Sequence, residues 1–350
     1  MIKLLFFCSK QVSTDIPKNF LNILQKIYWK SEVKVMKELK KNTIKGEAIL
    51  LVVAVLWGSC FIFQKKGMDY IGPYTLGAFR FVIGGLALFP VIMLFSKLNK
   101  TSAAVAKIAK YKRDTLWRGG ILCGVALFFG ATFQQVGLVY TTAGKAAFLT
   151  SMEIVIVEII VFFIVKKLCL NSIIGAALSM VGMYLICIKN GFSMQFGDAL
   201  ELIGAIFWGV QILLVDKYAK LVDCMKLSLI QFIIAGCLST ICMFIFEKPD
   251  IANIYSCAIP ILYLAIIEVS ICYTLQIIGQ KYVPPVIAAV TLSLESVFAV
   301  IFGSIILNEV LTGREVLGMI IMLISFIIIQ IPVNNVKTCR TKSPFGRVLK

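Results

Sequence analysis

Residues 46–58 read GEAILLVVAVLWG, and residues 197–209 read GDALELIGAIFWG. Each stretch opens on a glycine, an acid and an alanine and closes on Trp-Gly at the same spacing: Gly46-Glu47-Ala48 leads to Trp57-Gly58, and Gly197-Asp198-Ala199 to Trp208-Gly209. Farther along, Gln134, Gly137, Tyr140, Ala146, Ala147, Ser151, Glu153 and Val155 recur as Gln276, Gly279, Tyr282, Ala288, Ala289, Ser293, Glu295 and Val297, at one constant offset without a gap. Matches this dense mark an internal repeat. Both quoted stretches sit in apolar runs long enough to cross a bilayer, which takes about 20 mainly apolar residues. Working outward from them gives ten such runs, at about 46–64, 72–95, 119–139, 146–165, 172–189, 198–215, 227–246, 257–278, 286–307 and 315–332. They are apolar all round, whereas β-barrel strands alternate apolar and polar residues. The expected fold is an all-α polytopic membrane protein of ten transmembrane helices, numbered here spans 1 to 10.

The repeat divides the membrane part into two five-span halves, 46–190 and 197–334, joined by a turn-like link at Asn190-Gly191-Phe192-Ser193. Five is odd, so the second half is expected to enter the membrane from the opposite face, giving two inverted five-helix repeats. Such repeats are a mark of alternating-access transporters. A Lys-rich N-terminal segment, 1–45, and a basic tail, 335–350, flank the halves and are expected in the cytoplasm. Met36 is a second candidate for the start of translation, ahead of a short lysine-rich lead into span 1.

Composition agrees with the membrane reading: 59% of residues are hydrophobic and 15% charged, too few polar groups to cover a soluble chain of this length. The net charge of +17 would suit a nucleic-acid partner, but its placement argues for insertion instead. With the N-terminus inside, 28 of the 35 Lys and Arg residues fall in cytoplasmic segments, six in outer loops, and Arg80 lies within span 2. That asymmetry predicts both termini cytoplasmic in a cell membrane. The eleven cysteines are scattered, with no CxxC pair, and the chain has no histidine, so neither a zinc site of usual composition nor a bound cofactor is expected. The partners expected are the lipid bilayer, a small-molecule solute and a second copy in a homodimer, with no nucleic acid.

Charge inside a bilayer is expensive, about 2.5–3.5 kcal/mol per residue at mid-helix on insertion scales. The spans nevertheless hold Arg80, Glu153, Glu158, Glu268 and Glu295. Glu153 and Glu295 are repeat-equivalent, so inversion would place them symmetrically about one central site, where a carboxyl in an apolar pocket can bind solute or hold and release a proton. An interhelical hydrogen bond or ion pair is the structural alternative. Arg80 could neutralise one of the acids or bind an anionic group. Gln134 and Gln276 could bind a ligand or bridge helices. Trp57 and Trp208 lie deep in their spans rather than at the interface, which suggests cavity lining. Lys145 stands near the outer end of span 4.

These residues resemble the drug/metabolite transporter superfamily, specifically the EamA-type permeases. The resemblance rests on Leu56-Trp57-Gly58, on Pro73 with Ala78-Phe79-Arg80-Phe81, on the 143–151 element AGKAAFLTS, on Phe207-Trp208-Gly209, on Ser293-Leu294-Glu295, and on Asn308-Glu309 before Gly318. It implies a ten-helix fold of two inverted repeats around a central cavity, lined mainly by the first four helices of each, and secondary transport of small metabolites, amino acids or drugs. Two departures stand out: Ser296 replaces a proline common in the family, and Glu153 and Glu158 stand where relatives place an aromatic residue and a proline. The extra carboxyls favour a cationic or zwitterionic solute, or proton antiport. No Walker-type nucleotide loop is present. The expected function is therefore a secondary transporter, an exporter by alternating access, not an enzyme. A membrane-embedded enzyme would want clustered interfacial His or Asp. A non-transporting sensor would tolerate loss of the cavity acids.

Overall fold

A computed structural model describes residues 18–98, 105–141, 143–166, 170–188, 194–307 and 311–330, which are helical with short turns and include no strand. The chain divides into two compact units, 1–44 and 45–350. The first contributes the beginning of one helix, Lys18–Met68. The second holds the membrane domain. The link at 190–193, the Asn308-Glu309 pair and the basic tail lie outside the described residues.

Among the described residues, ten helices are long and apolar enough to span a membrane: Lys41–Met68, Pro73–Leu94, Arg113–Tyr140, Ala146–Val165, Leu170–Cys187, Phe196–Tyr218, Cys224–Phe246, Ala258–Gln280, Pro285–Ile305 and Gly313–Gln330. These are spans 1 to 10. Their surfaces are apolar outside and polar inside. Leu86, Phe163, Phe244 and Ile305 are each about 70% exposed, whereas Glu201, Gln211, Asp216, Gln231 and Gln280 are fully buried. Hydrocarbon offers polar groups no partner, so the polar residues turn inward, and some of them hydrogen-bond between helices. Ser270 donates to the Gly84 carbonyl across spans 8 and 2 at 2.5 Å, and Ser325 to the Gly175 carbonyl across spans 10 and 5 at 2.6 Å.

Helix ends follow local chemistry. Pro285 opens span 9 at the first helical position, where its missing N–H costs nothing. Thr312 and Glu315 form a reciprocal capping box ahead of span 10. Span 2 is capped from another helix: the Glu247 carboxylate, just past span 7, accepts the backbone N–H groups of Tyr74 at 2.9 Å and Thr75 at 2.8 Å.

Three spans depart from the continuous helices expected. Span 4 is broken into Ala143–Thr150 and Glu153–Val165. Span 9 is broken in the same way, into Pro285–Leu292 and Glu295–Leu307. At each break the ladder tightens to i→i+3 bonds: Met152 N–H to Leu149 and Ile154 N–H to Ser151 in span 4, Leu294 N–H to Thr291 and Ser296 N–H to Ser293 in span 9. Ser151 and Ser293, repeat-equivalent, turn back to donate to Phe148 at 2.7 Å and Val290 at 2.9 Å. Serine hydroxyls compete for helix carbonyls in this way and bend the helix. The third departure is in span 8, which is wound as a π-helix over Leu264–Tyr273. Long π segments are rare and concentrate at functional sites.

Candidate functional site

The two Trp-Gly pairs quoted first position the two central acids. A Cβ on Gly58 would lie 2.8 Å from the Glu295 carbonyl oxygen, and one on Gly209 would lie 2.9 Å from the Ile156 side chain and 3.5 Å from the Glu153 carbonyl oxygen. Each glycine thus lets the second segment of a broken span from the other half lie close, with its acid in the first turn. Each tryptophan, one residue earlier, turns into a central cavity between the halves.

The cavity offers about 50 Å³ to the centres of water molecules, room for a few waters or a compact solute. Spans 1, 3, 4, 6, 8 and 9 line it. Spans 2 and 7 contribute no lining residue among those described, which narrows the four-helices-per-half expectation. Seven of the nine candidate residues meet there: Trp57, Gln134, Glu153, Trp208, Glu268, Gln276 and Glu295.

Its walls are aromatic and acidic. Tyr273, from the π segment, stacks on Trp208 with ring centroids 6.1 Å apart and planes 9° apart, and meets the edge of Trp57 at 5.1 Å. Neither indole N–H, of Trp57 or of Trp208, has a hydrogen-bond partner among the described residues. Arg80 stands behind the lining, 2% exposed, with Nη1 3.1 Å from both oxygens of Glu268. Gln64 Nε2 donates to the same carboxylate at 2.9 Å. One acid of three is therefore neutralised. Glu295 acts electrostatically on Glu153, and Glu268 on Glu295. Neither Glu153 nor Glu295 makes an ion pair among the described residues.

Gln134 and Gln276 each use an amide N–H away from their own helix, Gln134 toward Thr150 at 3.4 Å and Gln276 toward Gln211 at 3.2 Å. Glu158 lies outside the cavity, half-buried, with one oxygen unpartnered. Lys145's side chain lies outside the described residues. Sequence reasoning missed Gln64, Thr150 and Tyr273 in the lining and the buried acid Glu201 beside it. Glu201 did carry a signal, an acid inside an apolar run. Thr150, at the break of span 4, and Tyr273, in the π segment, stand at features that the sequence does not show.

A ten-helix membrane protein with a polar cavity between its halves belongs to the class of helical membrane transporters. Residues 44–188 and again 195–331 match the EamA-like transporter family, and the chain belongs to that family. An uncharacterized transporter of Archaeoglobus fulgidus is 31% identical over 287 residues, 81% of this chain and 85% of its own. The uncharacterized transporter YoaV of Bacillus subtilis is 21% identical, over 78% of this chain and 92% of its own. A crystal structure of 17% identity shares the fold with a TM-score of 0.67, covering 82% of this chain and 96% of its own.

Proposed function

We propose that this transporter is a proton-coupled secondary exporter of a small organic cation or zwitterion. The observation that carries the reading is the pair of carboxyls, Glu153 and Glu295, facing one aromatic-walled cavity with no ion-pair partner among the described residues. Uncompensated acids in a bilayer face water or a cationic ligand, and stacked aromatic rings add cation–π attraction. A solute cation and protons can then compete for the same carboxyls, which is the requirement for exchange. Under an inward proton gradient that exchange drives the solute outward. Alternating access rests on the two halves being inverted, a reading supported by the recurring break in spans 4 and 9 and by the odd span count. Arg80, already bound to Glu268 from behind the lining, orients that acid.

The test is purified protein in proteoliposomes, loaded with a panel of amines and amino acids. Acidifying the outside relative to the lumen is expected to accelerate efflux of at least one of them. No flux above that of empty liposomes for any member, under any pH gradient, overturns the reading.

A further inference from the structure

The internal repeat supplies a control for one buried acid. Leu50 and Glu201 occupy the same place in the two quoted stretches, and Leu292 and Thr150 the same place ahead of the two helix breaks. In one copy the site is apolar: Leu50 and Leu292 are 0% and 2% exposed and belong to one apolar cluster. Leu50 packs on Gly279, where a Cβ would come within 2.8 Å of its Cδ2. In the other copy Glu201, 0% exposed, packs on the equivalent Gly137, where a Cβ would come within 2.8 Å of its Oε1. The same scaffold therefore closes with two leucines. Packing does not demand the acid and the threonine, and burying them costs free energy that leucine does not.

What the polar pair adds is a route. Gln134 and Thr150 line the central cavity, and Glu201 does not. Gln134 Nε2 donates to Thr150 Oγ1 at 3.4 Å, and that hydroxyl donates to Glu201 Oε2 at 2.9 Å. Glu201 Oε1 is buried with no partner among the described residues. One turn earlier on the same helix stands Asp198, which accepts the Thr141 hydroxyl and, at 2.8 Å, the Gln195 backbone N–H where span 6 begins. Asp198 is the acid that acts on Glu201 electrostatically. Span 3 presents Gln134 and Gly137 to Glu201, and span 4 presents Thr150, none of them charged. Polar groups thus run from the cavity through Thr150 and Glu201 to Asp198.

We infer that Glu201 is a proton-transfer site joining the central cavity to the membrane face at which span 6 begins. With Glu201 neutral and its proton on Oε1, a hydronium ion in the cavity hands a proton to Thr150 Oγ1 as the threonine's own hydrogen passes to Glu201 Oε2 and the Oε1 proton leaves toward Asp198. The hydronium is left as water, and the reverse passage runs through the same atoms. One proton moves and nothing is oxidised or reduced. The other copy, with leucines at both places, has no such step, so the route opens to one face only. Its use in coupling rests on the carrier reading above, but the proton exchange does not.

The experiment is infrared difference spectroscopy of the full-length protein in lipid nanodiscs, with the hydron itself as the probe. The expected result is a carboxylic-acid carbonyl band that changes with buffer pH, shifts on transfer from H₂O to D₂O, and is lost in both Glu201→Leu and the isosteric Glu201→Gln. Thr150→Val should slow the deuterium shift of that band about a hundredfold, the low end of what a positioned proton donor supplies. The double variant Glu201→Leu with Thr150→Leu, copying the other half, should keep the wild-type helix content. A Glu201-dependent band that ignores pH and D₂O, the absence of any such band, or a deuterium shift unmoved by Thr150→Val each overturns the proposal. A failed carrier reading shows itself separately, as absent solute flux with the spectrum intact.

Discussion

Arg80 and Glu268 set the energetics at the scale of single residues. Both are nearly fully buried, so their charges gave up hydration and hold each other instead. Removing one partner of such a pair costs about 3–5 kcal/mol, because it strands the other charge, whereas replacing both by apolar residues is often close to neutral. Arg80→Met is therefore expected to lower the melting temperature in detergent sharply, and Arg80→Met with Glu268→Met to recover most of the loss. Equal melting of single and double variants would show that the pair does not hold spans 2 and 8 together. Glu153 and Glu295 behave differently, since neither makes an ion pair among the described residues. Changing either to Gln should leave folding intact and reduce pH-driven efflux about tenfold or more. Efflux at the wild-type rate with unchanged pH dependence in both variants would remove them from coupling.

At the scale of elements, the broken spans explain why the two acids reach the cavity. An unbroken helix would place Glu153 and Glu295 mid-ladder; the tightened turn makes each the first residue of a new segment. No glycine or proline marks these breaks, so helix-breaker rules passed over them, and only the serine back-bonds account for them. The π segment of span 8 was equally hidden, since a shift from i→i+4 to i→i+5 bonding leaves no mark in composition. The repeat, in contrast, was readable in residues, and it singled out the pairs Trp57/Trp208, Gln134/Gln276 and Glu153/Glu295 that line the cavity. Glu201 was passed over because an acid four residues from Gly197 reads as a helix-end residue, whereas the structure buries it. The cross-helix cap by Glu247 gives a prediction at this scale. Glu247→Ala leaves two first-turn N–H groups of span 2 without their acceptor and should cost about 0.5–2 kcal/mol, as loss of an N-cap does. Thermal unfolding in detergent indistinguishable from wild type would mean that water replaces the carboxylate without loss.

Across the whole molecule, the charge asymmetry and the repeat make one joint claim about topology. The positive-inside rule places 28 basic residues on one side and six on the other. The odd number of spans per half then puts repeat-equivalent loops on opposite faces. Tyr140, at the end of span 3, and Tyr282, just past span 8, are such a pair. Tyr140 is 55% exposed, so a thiol there can be reached without disturbing packing. In a variant cleared of the eleven native cysteines, Tyr140→Cys is expected to react with a membrane-impermeant maleimide added to intact cells. Tyr282→Cys should react only after the membrane is opened. Reaction of both from outside, or of neither until lysis, would place the two loops on one face. The halves would then be parallel, and the pairing of Glu153 with Glu295 about a central axis would lose its basis. Reaction of Tyr282→Cys alone would keep the inversion but reverse the charge rule, placing the lysine-rich N-terminal segment outside. Because each pattern moves a different premise, the two thiols separate the repeat's geometry from the membrane's preference for where lysine and arginine go.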